Sequence, residues 1–160
     1  MRILISSCVM GNSVRWNGSD RQDKDIEEWA RTHGFTLTPV CPEDSLFGTP
    51  RPPIKLHKIS DQVLAMMNGH NVYPELVGEC KKILSEYPDA VGYIGIAGSP
   101  TCGISVGVKG AGSVMKAPMH TESHFPTTEI NSMKTPENRE GFRKRIMKWV
   151  NSQVKCASDS

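Results

Sequence analysis

Two patterns of apolar and polar positions follow one another along the first part of the chain. Continuous apolar runs at residues 2–9 and 90–96 are typical of strands buried on both faces of a sheet. Residues 35–41 alternate apolar and polar positions, which predicts another strand. Apolar residues recur at helical spacing over 23–33 and 73–87. The pattern therefore predicts strand, helix, strand, helix and strand in this order.

The other segments are shorter or less regular. Residues 63–67 favour a short strand before a tight turn over a last helical turn, and the prolines of 48–53 predict a rigid loop. Residues 104–134 show little periodicity, which indicates a long ordered loop or lid. Thr135 and Pro136 begin a C-terminal helix of about four turns. Strands alternating with helices predict an α/β fold, a single-domain three-layer Rossmann-like sandwich with a mostly parallel sheet.

Length and composition narrow the class of protein. The 160 residues suit one domain, which we place at 1–156 with a frayed tail at 157–160. The net charge of +2 gives no general basic field, so we expect no nucleic-acid partner. The first apolar run is too short for a signal peptide, and no run approaches the roughly 20 residues that span a bilayer. We expect a cytoplasmic monomer with no membrane partner.

The five cysteines are the candidate chemistry. An odd number in a chain without an export signal argues against a disulfide scaffold. Cys8 and Cys41 lie at the carboxyl ends of predicted strands, and Cys102 lies in the loop that leaves the strand at 90–96. The carboxyl edge of a parallel sheet is where ligands bind. Cys80 lies on the apolar stripe of a predicted helix, and Cys156 lies near the C-terminus.

Three converging thiolates suit a soft metal centre with one open coordination position, either on zinc or on one iron of a cubane. The alternative is that each cysteine is a small buried apolar residue. The glycines and prolines that follow these cysteines favour a site, because they let the backbone turn closely around a ligand. Composition alone does not name the metal.

The motifs around these cysteines resemble the signature of a known family. They are ISSCVMG (5–11) with VRWNG (14–18), VCPE (40–43) with TPRPP (49–53), and SPTCG (99–103). In this order, over roughly residues 2–103, they are similar to the thiouracil desulfidases, long catalogued only as a domain of unknown function. The resemblance fades after Gly103.

The resemblance implies an iron-sulfur enzyme. Cys8, Cys41 and Cys102 would hold a 4Fe-4S cluster whose fourth iron has no protein ligand and takes the sulfur of the substrate. The implied reaction is a desulfuration without net redox change, in which water replaces sulfide at a ring carbon. The implied partner is a small thiolated pyrimidine base, nucleoside or nucleotide of the 2-thiouracil or 4-thiouridine type.

Polar residues beside the cysteines have candidate roles. Glu43 would act as base and proton shuttle, unless it is a surface carboxylate. Ser99 would hydrogen-bond the pyrimidine or merely cap its loop, and Ser7 would bond a cluster sulfide. Arg15 and Arg51 would contact a phosphate or the pyrimidine oxygens, or brace loops through carboxylates.

Features outside the motifs are weaker signals. His120 and His124 have metal-ligand spacing, but the flanking prolines favour a loop over a helix that would align them. The glycines at 107, 110 and 112 match no phosphate-binding fingerprint. The basic run from Arg139 to Lys148 is more typical of a solvated helix face than of an RNA-binding surface.

Two other functions compete with the enzyme. The same cysteines in a binding or sensing module would hold a cluster or zinc without turnover, and Glu43 and Ser99 discriminate between the two. A thiol oxidoreductase is disfavoured because no Cys-x-x-Cys pair is present.

Overall fold

The computed structural model describes residues 1–60, 62–104 and 125–158, with side chains as far as Lys155. The elements are β1 (Arg2–Ser6), α1 (Lys24–Thr32), β2 (Thr36–Val40), α2 (Pro42–Phe47), β3 (Lys55–Ile59), β4 (Gln62–Met67), β5 (His70–Asn71), α3 (Tyr73–Glu86), β6 (Ala90–Gly95), β7 (Thr127–Glu129) and α4 (Pro136–Ser158). Short 3₁₀ turns follow β1 at Ser7–Met10 and β7 at Ile130–Met133.

The main sheet has four strands in the order β2-β1-β6-β7, and every pairing in it is parallel. The register pairs Ser6 of β1 with Val40 of β2, so these strands end side by side. On the other side of β1, Ile5 pairs with Ile94 of β6. The predicted α/β fold with a mostly parallel sheet is confirmed, and the carboxyl ends of three strands meet at one edge.

Alternating side chains of the sheet divide the core into two layers. Ile3 and Ile5 pack on one face against α1 and α4, where Phe142 and Ile146 are fully buried. Leu4 and Tyr93 point to the other face, against α3 and the residues that follow α2. This opposite placement is the two-residue periodicity of a strand buried on both sides. The result is helices on both faces of the sheet.

A second sheet, antiparallel with the order β3-β4-β5, covers part of the α3 face. The strand expected at 63–67 is confirmed as β4, and Gly69, with φ of +80°, lies in the turn before β5. The strand β3 was not expected, because only Leu56 among its five residues is even half-buried. Such a strand has no apolar periodicity to read.

Several expected boundaries are wrong. The strand expected at 2–9 ends at Ser6 and continues as a 3₁₀ turn, since buried residues such as Val9 look alike in either conformation. Residues 42–47 form α2, a helix of six residues that is too short for a periodic pattern. The stretch expected to be a loop up to 134 contains the three-residue strand β7.

The C-terminal helix begins at the expected residue but is longer than expected. α4 has 23 residues instead of about four turns, because residues 151–155 are exposed and show no apolar stripe that would predict the extra turns. The candidates at His120, His124 and the glycines of 107–112 lie outside the described residues. No helix of the described part is long and apolar enough to cross a membrane.

Candidate active site

A cavity of about 320 Å³ opens at the carboxyl edge of the main sheet. Its size is at the lower end of the range typical of small-molecule pockets. It is lined by Ser6, Ser7, Cys8, Val14, Arg15, Trp16, Arg21, Cys41, Glu43, Arg51, Pro53, Ile54, Ile96, Ala97, Gly98, Ser99, Pro100 and Cys102. All eight candidate residues from the sequence are among them: Ser7, Cys8, Arg15, Cys41, Glu43, Arg51, Ser99 and Cys102.

Three neighbouring strands bring the cysteines to this cavity. Cys8 lies in the 3₁₀ turn after β1, where its carbonyl oxygen accepts hydrogen bonds from the amides of Gly11 and Arg21. Cys41 follows β2 at the N-cap position of α2, where its side chain makes no capping hydrogen bond. Cys102 lies in the loop after β6. Strands β1, β2 and β6 are adjacent and parallel, so residues far apart in sequence lie around one opening.

The three thiols are held in their uncharged form by burial. Burial raises the pKa of the Cys8 thiol, and the positive charge of Arg15 offsets part of this effect. Burial likewise raises the pKa of Cys41 to about 11, against a weaker effect of the Asp44 backbone amide. Cys102 is the most enclosed, and burial, with Cys41 and Glu43 adding to it, raises its pKa well above the usual range. A ligand that binds thiolates must therefore displace these protons.

The loop that carries Cys102 is hydrogen-bonded from two directions. The Ser99 hydroxyl oxygen accepts the amides of Thr101 at 3.3 Å and Cys102 at 3.0 Å, which is a loop cap. The buried Tyr93 hydroxyl donates to the Cys102 carbonyl at 2.9 Å and lies 3.3 Å from the Ser6 hydroxyl oxygen. Because the single Tyr93 proton is committed to Cys102, Ser6 is the donor in the second contact.

Gly95 is required for this loop to approach β6. A Cβ built on Gly95 would overlap the carbonyl oxygen of Cys102 and lie 3.2 Å from the Tyr93 ring. Any larger residue at 95 would push the Cys102 loop away from the sheet.

Glu43 lies in the first turn of α2 and is 7% exposed, so it is not a surface carboxylate. Its Oε2 accepts hydrogen bonds from Arg51 Nε at 3.2 Å and Nη2 at 2.9 Å. Arg51 also donates to the Gly48 carbonyl at 2.9 Å and to Thr49 Oγ1 at 3.0 Å. Within the described part of the chain, Glu43 Oε1 accepts no hydrogen bond. One oxygen is therefore held by Arg51 while the other stays available at the cavity.

The hydrogen bonds of Arg51, Arg15 and Ser7 show which of their expected roles each side chain is free to take. Arg51 braces its loop through the Glu43 carboxylate, which is the second of the two roles that the sequence allowed for this arginine. Arg15 has no carboxylate partner among the described residues, and its Nη1 donates to Ser19 Oγ at 3.1 Å. The Ser7 hydroxyl oxygen accepts a hydrogen bond from the Asn12 side chain at 2.8 Å, which leaves its own proton free to donate.

The donor set fits a cluster better than a single ion. Among the described residues, no group of three Cys, His, Asp or Glu side chains is close enough to hold one metal ion. Three thiols line one cavity, and cysteine thiolates are the usual protein ligands of iron-sulfur clusters.

Comparison with known proteins identifies the family. The sequence model of the 2-thiouracil desulfurase family matches residues 3–130. The chain belongs to the 2-thiouracil desulfurase family. The family match extends past Gly103, where the resemblance in the sequence motifs faded, so that expected boundary is wrong. No curated protein matches the chain.

The fold of this family member is also found in a solved structure. The 4Fe-4S-dependent thiouracil desulfidase TudS superposes with a TM-score of 0.68 at 20% sequence identity, over 89% of this chain and 97% of that protein. At this identity the likeness shows a shared fold.

Three residues that line the cavity or hold its loops in this desulfurase-family chain were not predicted from the sequence. Tyr93 was read only as part of a buried strand, and Trp16 and Arg21 were given no role. Tyr93 had a possible signal, since a buried tyrosine needs a hydrogen-bond partner, but the partner was not visible in the sequence. Trp16 and Arg21 lie on the segment after Cys8, whose position depends on the tertiary structure.

Proposed function

We propose that this protein removes sulfur from a thiolated pyrimidine of the 2-thiouracil or 4-thiouridine type. The substrate is a free base, a nucleoside or a nucleotide, and the products are the oxo pyrimidine and sulfide. One observation carries the proposal: in a chain of the 2-thiouracil desulfurase family, three strand-end cysteines and a buried carboxylate line one cavity. The reaction exchanges a carbon–sulfur bond for a carbon–oxygen bond from water, so no electrons are gained or lost.

The residues proposed to hold a 4Fe-4S cluster are Cys8, Cys41 and Cys102. Support comes from the donor set and from the name of the structural neighbour, which is 4Fe-4S-dependent. When bound, the cluster supplies an iron without a protein ligand, a soft Lewis acid suited to thione sulfur. The three cysteines would bind such a cluster as thiolates, so each would release its thiol proton on binding.

Glu43 is the proposed general base. Its free Oε1 accepts a proton from the water that attacks the ring carbon, while Arg51 holds Oε2 and keeps the carboxylate in place. The same oxygen then returns the proton to the departing sulfide. A carboxylate with one anchored and one free oxygen is suited to this shuttle.

Two serines of the cavity, Ser99 and Ser7, are proposed to hydrogen-bond the substrate and the cluster, respectively. Both amide contacts of Ser99 use its oxygen as acceptor, so its proton is available to a pyrimidine carbonyl. The Ser7 proton is available in the same way to a cluster sulfide, a contact that tunes such centres.

The test uses protein purified without oxygen and loaded with iron and sulfide. We expect a visible iron-sulfur spectrum and release of sulfide from 2-thiouracil or 4-thiouridine. Single Cys8→Ala, Cys41→Ala and Cys102→Ala variants should lose both the spectrum and sulfide release. Cys80→Ala is the matched control, because Cys80 is a buried cysteine that does not line the cavity, and it should keep both.

Two outcomes would contradict the proposal. Wild-type protein that cannot be loaded would refute the cluster. Loaded protein that releases no sulfide from either compound would refute the desulfuration and favour the sensing module.

A further inference from the structure

Trp16 is an unusually exposed aromatic residue at the candidate active site. It lines the cavity, yet 46% of its surface is accessible, whereas tryptophan is on average a highly buried residue. Trp29 is 6% exposed and stacks on Phe35, and Trp149 packs edge-on against Phe125. Within the described residues, Trp16 has no aromatic or cationic partner. The fold therefore leaves one large aromatic surface uncovered beside the cavity.

The backbone around Trp16 is fixed. The amide of Arg51 donates to the Trp16 carbonyl at 2.9 Å. A turn closes on both sides of Trp16, where the Gly18 amide donates to the Arg15 carbonyl at 2.8 Å and the Arg15 amide donates to the Ser19 carbonyl at 3.1 Å. The φ of +74° at Gly18 suits glycine at this turn.

These contacts tie Trp16 to the proposed base. Arg51 binds the Trp16 carbonyl through its backbone and Glu43 through its guanidinium. The backbone of Trp16 is therefore bound to the same residue that anchors the Glu43 carboxylate. Because this backbone is already ordered, a flat ligand that covers Trp16 does not have to order it at a further cost in conformational entropy.

We propose that Trp16 is the residue on which the pyrimidine ring of the substrate stacks. This inference rests on the proposed function and adds a residue that selects the ring itself. Serine and glutamate read the polar edge of a pyrimidine, but a saturated ring offers them nearly the same edge. Stacking instead requires a flat π-system, and aromatic side chains bind base rings largely independently of their substituents. Trp16 would thus select aromatic pyrimidines over saturated analogues.

The test compares uracil with 5,6-dihydrouracil, which has the same carbonyl and amide edge on a non-planar ring. Binding of each to the cluster-loaded protein is measured by equilibrium dialysis, so the readout does not depend on turnover. We expect the wild-type protein to bind uracil at least about tenfold more tightly than dihydrouracil. Trp16→Ala should weaken uracil binding by about tenfold or more and abolish the preference, with unchanged iron content.

Three further variants separate stacking from bulk. Trp16→Phe should restore most of the preference for uracil, whereas Trp16→Leu, which is apolar but has no π-system, should not. Leu46→Ala is the matched control, because Leu46 is 38% exposed on α2 near the cavity without lining it, and it should bind uracil as the wild type does.

The outcomes distinguish this inference from the proposed function. A preference for uracil that persists in Trp16→Ala, full recovery by Trp16→Leu, or no binding of uracil by the loaded wild type would each overturn the stacking role. Absence of sulfide release with a Trp16-dependent preference for uracil would overturn the desulfuration and leave the stacking role supported.

Discussion

At the scale of single residues, the pair of Glu43 and Arg51 has both a structural and a chemical consequence. The side chains are 9% and 3% exposed, and their closest N···O distance is 2.9 Å. Breaking a buried ion pair from one side leaves a charge without compensation, which costs far more than removing both charges together. The structural contribution of Glu43 can therefore be separated from its proposed catalytic one.

Glu43→Gln should lower sulfide release by about 10²-fold or more, the contribution typical of a general base. It should also lower the free energy of unfolding by about 3–5 kcal/mol, because Arg51 keeps its buried charge. The double variant Glu43→Gln/Arg51→Met should recover most of that stability, measured by urea unfolding, but not the activity. Recovery of sulfide release in the double variant would show that Glu43 only balances Arg51.

At the scale of elements, the end of β6 decides where Cys102 lies. Gly95 allows the loop carbonyl of Cys102 to pass over the strand, and Tyr93, two residues earlier, donates a hydrogen bond to that same carbonyl. The strand thus both makes room for the loop and holds it. Neither contact can be predicted from the local sequence, because Tyr93 and Gly95 lie on the strand whereas Cys102 lies in the loop that folds back over it.

Gly95→Ala should displace the Cys102 loop, because the new Cβ would overlap backbone atoms that cannot rotate away. We expect a loss of about 1–3 kcal/mol in the free energy of unfolding and at least severalfold less iron bound per protein. Iron analysis and chemical denaturation measure the two effects.

Gly78→Ala is the matched control in α3, where a Cβ meets nothing within 4 Å. It should raise the free energy of unfolding by about 1 kcal/mol, since alanine is the better helix former, and leave iron binding unchanged. Normal iron binding in Gly95→Ala would disprove the positioning role of this glycine.

At the scale of the whole molecule, several buried thiols make stability depend on pH. Burial raises the pKa of Cys80 to about 12 from a usual 9.0, with the charge of Glu79 adding to the effect. Above pH 9.0 the unfolded chain loses this proton while the folded chain keeps it. The folded state therefore becomes less stable as pH rises through this range.

The cluster-free wild type should lose stability between pH 9.0 and about pH 12 more steeply than Cys80→Ala does. The difference in slope should approach about 1.4 kcal/mol per pH unit above the ordinary thiol pKa. Urea unfolding at each pH measures the free energy of unfolding. The packing cost of the substitution is the same at every pH, so it does not affect the comparison of the two slopes. Equal slopes would mean that Cys80 ionises as readily in the folded protein as in the unfolded chain.

Local pattern determined the order of the main elements and the cysteines of interest. Helices α1 and α3 and strands β2, β4 and β6 were predicted close to their observed limits, because hydrophobic periodicity and caps such as Asp23 act within a few residues. The placement of Cys8, Cys41 and Cys102 after strands followed from the same pattern. The role of each in a cluster stays a prediction.

Only the tertiary structure decided what surrounds those cysteines. It pairs Glu43 with Arg51, places Tyr93 against Cys102 and leaves Trp16 exposed at the cavity. It also adds short elements, α2, β3 and β7, whose few residues carry no readable period. The physical reason is the same in each case: these features depend on contacts between distant segments, whereas periodicity records only which face of one segment is buried.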